Sequence, residues 1–191
     1  ALEQVPLVQG ALISLDVRSG DVISMVGGYD FKESEFNRAI QAERQTGSAY
    51  KPIIYSAAID KGYTPATIIQ DSPIVFDAGE NEKWKPDNYE EKFYGDTLFR
   101  SALIHSRNIP TIKIVQDIEV PYLVEYSIRL GLPDKFNRDL SIALGSSTAS
   151  LLDLASVYAV FPRGGRKLRP IFITAVSYTH LRAHETGRNL V

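Results

Sequence analysis

The hydrophobic pattern of the chain changes period several times, and each change marks an element. Leu12 to Val17 and Val22 to Val26 are two β-prone runs, and Arg18-Ser19-Gly20-Asp21 between them carries turn chemistry. Ala11 to Asp30 is therefore predicted to be a hairpin, closed off by Gly27-Gly28. Phe31 to Gln45 is polar and predicted as a loop with some helix. From Ser48 to Lys61 the spacing becomes helical, with Ile54, Ala57 and Ala58 on one stripe. Gly47 permits a tight lead-in, Ser48 can cap, and Gly62 suits the residue just past the end. Pro52 falls near the first turn, where few backbone donors have partners inside the helix.

Gly62 to Tyr94 is rich in Pro, Asp, Asn and Gly, so it is predicted to be a long irregular segment with short strands at most. Long ordered segments of this kind tend to be functional. Helices are predicted over Thr97 to His105, Pro110 to Asp117, Pro121 to Leu130 and Thr148 to Phe161. Arg169 to Ala175 has the composition of a strand, and no internal repeat interrupts the series.

Composition narrows what such a chain can do. Its 191 residues suffice for one domain or part of a larger one, and 44% hydrophobic content is ordinary for a globular protein. A formal net charge of -2 predicts no strong attraction to nucleic acid or anionic membrane. The absence of cysteine excludes disulfides, thiol catalysis and cysteine–zinc sites. With only His105, His180 and His184, a histidine-rich metal site is not expected. No apolar run reaches membrane-span length, and the first residue is Ala1, so the sequence is expected to be a fragment.

The candidate chemistry lies in QTGSAYKPIIYSAAIDKG, Gln45 to Gly62. Ser48 and Lys51 are three apart, which places them on one helical face. A serine hydroxyl is a poor nucleophile until a base takes its proton, and a lysine is a base only when neutral. Burial and the positive end of a helix dipole both lower a lysine pKa. A serine at a helix start also has its own N–H available to an oxyanion. With 16 serines and 9 lysines, S-x-x-K arises about 0.75 times by chance, so alone it is more simply a capped helix with a snorkelling lysine. Ser106-Arg107-Asn108 adds a second box, in the break before Pro110. S-x-x-K at a helix start followed by a serine–asparagine box is the order of an acyl-serine site, in which K-T-G comes third. In such a site Ser106 would relay a proton and Asn108 would fix a substrate amide. Taken singly, those two residues fit an interhelical cap pair.

Four segments make the pattern specific: QGALISLDVRSGDVISMVGGYDF, FNRAIQAERQTGSAYKPIIYSAAIDKGYTPAT, HSRNIPTIKI and IALGSSTASLLDLASVYAVFPRGG. Over Gln9 to Ala175 the chain resembles the transpeptidase domain of class A, bifunctional penicillin-binding proteins of the 1A type. The resemblance implies an α/β (α+β) fold, an antiparallel sheet flanked by helices, incomplete at its C-terminus. It implies a peptidoglycan D,D-transpeptidase with Ser48 as the acylated serine, Lys51 as its base, Ser106 as relay and Asn108 in substrate binding. Neither cofactor nor metal is implied. The implied partners are peptidoglycan stem peptides, β-lactam antibiotics bound covalently at Ser48, and an N-terminal glycosyltransferase domain. The implied location is the extracytoplasmic face of the bacterial inner membrane, with an anchor outside these residues.

Departures from the family pattern are informative. Thr46 and Ala149 stand where proline is common, and no K-T-G or K-S-G occurs anywhere. VSYTHLRAHET, Val176 to Thr186, looks like translated sequencing adapter, so residues 1–175 are expected to be a partial transpeptidase domain and 176–191 a foreign tail. His180 and His184 in that tail are not expected to bind metal. A fragment without the third box is expected to be essentially inactive. Two other functions fit the boxes. A class A β-lactamase uses a glutamate downstream to aim the deacylating water, and none occurs between Tyr126 and Val176. A degenerate binding module would explain the missing box.

Overall fold

The computed structural model describes residues 4, 6–79, 82–177 and 182–183. These form two compact units, each described by itself. One comprises Arg44–Arg129 and Asp134–Thr148, the other Ala1–Glu43, Leu130–Pro133 and Ala149–Val191.

The first unit is organised around helix α1, Lys51–Asp60. The sequence predicts one apolar stripe, but the structure buries Lys51, Ile53, Ile54, Tyr55, Ala57 and Ala58, most of its circumference. A helix that is apolar nearly all round belongs in the centre of a core. Gly62 sits past its end at φ 100°, as predicted. Helix α2 is Phe99–Ile104, shorter than expected. Thr97 and Leu98 instead pair with Ile69 and Ile68 in an antiparallel ladder between Gly95–Leu98 and Ile68–Asp71. Helix α3, Asn108–Ile118, packs on α1 and buries Ile109, Ile112, Ile114, Val115 and Ile118. It starts two residues before Pro110, which is tolerated because the first turn leaves its N–H groups unpaired anyway. Helix α4 is Val120–Leu130, and the short turn Leu140–Leu144 lays Ile142 and Ala143 against α3. Each fully buried isoleucine contributes about 1.5–3 kcal/mol relative to exposure. Two polar links in series hold the Tyr50 ring in this core. Tyr50 donates its hydroxyl to Ser127 Oγ at 2.5 Å, and Ser127 donates to Leu123 O at 2.8 Å.

The second unit holds the predicted hairpin. Leu12–Leu15 pairs antiparallel with Val22–Val26, Leu12 opposite Val26, with an irregularity at Ser14/Leu15. Asp16 closes the turn by accepting from Arg18 N at 2.7 Å. Helix α5, Leu151–Tyr158, packs on the first strand. It begins later than predicted because Ser150 and Asp153 form a reciprocal capping box. Two expectations fail here. Phe31 to Gln45 contains turns and no helix. Arg169 to Ala175 is not a strand: only Ile171 pairs, in an isolated parallel bridge with Asp21. Pro170 offers no N–H to continue a ladder. Val176–Ser177 pairs antiparallel with Arg182–Ala183, whereas His180 and His184 lie outside the described residues.

The class is the expected mixed α/β one, with antiparallel strand pairs and helices. Among the described residues strands join two at a time. No helix among those residues is long and apolar enough to cross a membrane.

Candidate active site

Ser48 does not cap the helix. It lies in a 3-10 turn, Gly47–Tyr50, that leads into α1, and the N-cap of α1 is Tyr50. Neither start has a side-chain cap. A capping serine would have its hydroxyl occupied, and here Ser48 is exposed at the mouth of the site. The turn is held from behind. Thr46 N donates to Ser147 O at 3.1 Å and Gly47 N to Gly145 O at 3.0 Å. Gly145 adopts φ 70°, and a Cβ there would lie 2.1 Å from Gly47 O, so only glycine lets the two backbones meet.

Lys51 is the first residue of α1 and only 1% exposed. Burial pushes its pKa down from 10.5 to about 8. Its Nζ donates to Ser106 O at 2.5 Å, Asn108 Oδ1 at 2.8 Å, Ser106 Oγ at 3.1 Å and Arg107 O at 3.3 Å. The structure thus brings Lys51, Ser106 and Asn108 together from positions more than fifty residues apart. None of these four bonds goes to Ser48. Ser48 instead shares a cleft of about 280 Å³ with Ser106, Asn108, Asn88, Tyr89 and Glu90. An ammonium fills its acceptors with three protons. A neutral amine has two and a lone pair, so it can accept from the Ser106 hydroxyl in return.

Ser106 reaches Lys51 with two atoms because of its backbone. It is a non-glycine residue at φ 53°, a left-handed conformation. Its N–H bonds Leu103 O at 3.0 Å and the next N–H, of Arg107, bonds Ala102 O at 2.9 Å. These two bonds define a Schellman turn at the end of α2, where glycine usually stands.

Sequence reasoning missed the supports of the second box. Asn88, 3% exposed, accepts through Oδ1 from Asn108 N at 2.9 Å and Ile109 N at 3.2 Å. Its Nδ2 donates to both oxygens of buried Asp71, at 2.9 and 3.0 Å. Asn108 Nδ2 donates to Asp87 O at 2.9 Å. The Arg107 guanidinium lies 3.5 Å from the Tyr94 ring centroid and 3.1 Å from Glu90. The only sequence signal was the length and turn chemistry of Gly62 to Tyr94. Among the described residues no acidic, histidine or cysteine group is arranged for a metal ion.

A profile of the penicillin binding protein transpeptidase domain matches residues 10–190. The chain belongs to the penicillin-binding protein transpeptidase family. Penicillin-binding protein 1A of Pseudomonas aeruginosa is 42% identical over 175 residues, 91% of this chain and 21% of that protein. Its namesake in Neisseria gonorrhoeae is 43% identical over 171 residues, 88% of this chain and 21% of that one. The crystal structure of penicillin-binding protein 1A from Haemophilus influenzae superposes with a TM-score of 0.87 at 35% identity, covering 91% of this chain and 26% of the other. This transpeptidase-family chain therefore spans about a fifth of the length of the curated relatives it matches. In it the S-x-x-K and S-x-N boxes converge, and K-[ST]-G is absent from the sequence.

Proposed function

We propose that the domain is a peptidoglycan D,D-transpeptidase that works through an acyl-serine at Ser48. One observation carries this reading: a buried lysine with its pKa lowered to about 8 meets Ser106 and Asn108 beside an exposed serine. Ser48 Oγ attacks the carbonyl carbon of the penultimate D-Ala while neutral Lys51 takes the hydroxyl proton. The peptide C–N bond breaks, and the proton passes from Lys51 through the Ser106 hydroxyl to the departing terminal D-Ala amine. An amine of a neighbouring stem peptide then attacks the ester and gives up its proton by the same relay, restoring Ser48. Asn108 uses one N–H on Asp87 O and has the other for the substrate amide. Neutral Lys51 has to turn its lone pair from residues 106–108 towards Ser48 to accept the hydroxyl proton, a tightening expected on substrate binding. A penicillin would acylate the same oxygen and leave slowly.

By resemblance to the family, the domain acts beside a glycosyltransferase domain on the extracytoplasmic face of the inner membrane. The chain lacks K-[ST]-G, and losing one oxyanion donor costs about 10²–10³ in rate. The 191 residues alone are therefore expected to be essentially inactive. We read residues 176–191 as foreign to the domain, although the family match runs on to residue 190. Sequencing the source DNA across the Ala175 and Val176 codons tests this. A continuation to K-[ST]-G supports the boundary, and a genomic VSYTHLRAHETGRNLV followed by a stop overturns it.

The functional test uses the longest gene product that contains these residues, with the 191-residue chain beside it. A fluorescent penicillin should label the longer protein, with the adduct mapped to Ser48 by mass spectrometry and lost in Ser48→Ala. Labelling that survives Ser48→Ala contradicts the reading. Rapid release of hydrolysed penicillin would instead make the domain a β-lactamase.

A further inference from the structure

We propose that Asp71 and Asn88 are positioning residues that hold the Ser106–Asn108 turn against Lys51 through the backbone of Asn108. The proposal rests on the reading of Lys51 as the base. Asp71 and Asn88 are 1% and 3% exposed, so neither is there for solubility. The Asn88 amide has a fixed orientation: its nitrogen faces the Asp71 carboxylate and Lys92 O at 2.8 Å, and its oxygen faces two N–H groups. Those two N–H groups open helix α3, whose own N-cap, Arg107, makes no side-chain cap bond. The helix is capped from twenty residues away. One amide thus passes the negative charge of Asp71 to the positive end of α3.

The place of the cap matters more than its strength. Asn108 carries the N–H that Asn88 accepts, and its side chain carries the Oδ1 that meets Lys51 at 2.8 Å. Asp87 O takes Asn108 Nδ2, so neighbouring residues 87 and 88 grip Asn108 by side chain and by backbone. Serine or aspartate at position 107 could cap α3 locally. Such a cap would leave only Asp87 O to hold Asn108 towards Lys51. A carboxylate is costly to bury, and these contacts are what Asp71 and Asn88 are placed to make.

The test compares Asn88→Ala, Asn88→Asp, Asp71→Asn and the double variant D71N/N88D in the longest gene product that carries the chain. Penicillin acylation is measured at saturating and limiting concentration, which separates non-covalent affinity from the acylation rate constant. Circular dichroism gives the folded fraction. Asn88→Ala should slow the acylation rate constant by about tenfold to a hundredfold and change affinity less than about threefold, because a misplaced base impairs the step rather than the binding. Asn88→Asp should lose at least as much, since two carboxylates then face each other. Adding Asp71→Asn should recover most of that loss, because the introduced amide can donate to the introduced carboxylate, which still caps α3. An unchanged rate constant in Asn88→Ala, a loss confined to affinity or folded fraction, or no recovery in the double variant overturns the proposal. Failure of wild-type protein to label at Ser48 would overturn the functional reading instead. The Lys51–Asn108 contact is then judged from the NMR shift of the Lys51 ε-methylene, which should move in Asn88→Ala if the positioning role holds and stay put if it does not.

Discussion

Helices α1 and α2 end in the same hydrogen-bonded turn and differ in the residue at its left-handed position. After α1, Gly62 N bonds Ile59 O and Tyr63 N bonds Ala58 O, both at 3.0 Å. After α2, Ser106 N bonds Leu103 O at 3.0 Å and Arg107 N bonds Ala102 O at 2.9 Å. Gly62 sits at φ 100° and Ser106 at φ 53°. A Cβ at Gly62 would meet nothing within 4 Å, so backbone conformation alone favours glycine there. An L-residue in this region costs about 1–2 kcal/mol. At position 106 the chain carries that cost and adds a hydroxyl to the backbone carbonyl that any residue there would place on the lysine amine. The turn is set by the need to end a helix. The residue in it is set by chemistry where the turn faces Lys51, and by strain where it does not.

The sharpest way to break this contrast is Ser106→Gly. The substitution should keep the turn, relieve the strain and raise stability by about 1 kcal/mol. It removes the hydroxyl proposed to relay the proton, so acylation should fall by about 10²-fold or more. Thermal unfolding and penicillin labelling of the same preparation check both halves. A less stable variant would mean that the serine serves the fold, and an unchanged acylation rate would mean that it serves nothing at the site.

The pH profile sharpens the contrast, with a smaller effect of about tenfold per unit below the midpoint. Lys51 must be neutral to accept a proton, and burial places its pKa at about 8. Acylation should therefore rise with pH and level off above about 8. In Ser106→Gly the plateau should drop, with the rise kept, because the burial of Lys51 persists. The effect on stability has its own sign. The folded pKa is lower than the unfolded 10.5, so between about 8 and 10.5 the folded state binds fewer protons. Stability should increase with pH across that window, and below it the whole cost of a buried ammonium is present. Buried tyrosines, whose pKa values are raised, oppose this trend near pH 10. Chemical denaturation at pH 7 and pH 10 is therefore compared between wild type and Lys51→Met, and an equal pH dependence in the two would show that Lys51 is not desolvated.

The sequence made one of these two turns legible and hid the other. Gly62 follows a helical stripe, and glycine after such a stripe is a stop signal. Ser106 carries no such mark, because serine disfavours the conformation it adopts. The Leu12–Val26 hairpin was legible for the same reason as Gly62: turn residues stand between two β-prone runs. Ser48 stands where a serine can cap a helix and does not cap it, since a serine before a helix has the same sequence signature whether or not its hydroxyl is used. Asn88 and Asp71 could not be found by spacing. They sit in the irregular segment, seventeen residues apart, and reach α3 only through tertiary structure. Local pattern thus reports turns and helix ends, whereas the supports of a site are long-range and polar and leave no period.

Gly62→Ser is the reciprocal substitution and has the smallest expected effect. It should lower stability by about 1 kcal/mol through φ alone, since the added side chain has open space. In urea the midpoint should fall with an unchanged slope, the mark of a stability change without a change in the unfolded state. Acylation per folded molecule should match the wild type, because Gly62 lines none of the cleft around Ser48. The exchange of both residues, Gly62→Ser with Ser106→Gly, then separates fold from function. The two stability changes have opposite sign and similar size, so for independent sites they should cancel to within about 0.5 kcal/mol. The exchanged protein should be as stable as the wild type and have lost its acylation. A residual loss of stability well beyond that margin would mean that Ser106 contributes to folding through its contacts with Lys51, and the division between strain and chemistry would then not hold at this turn.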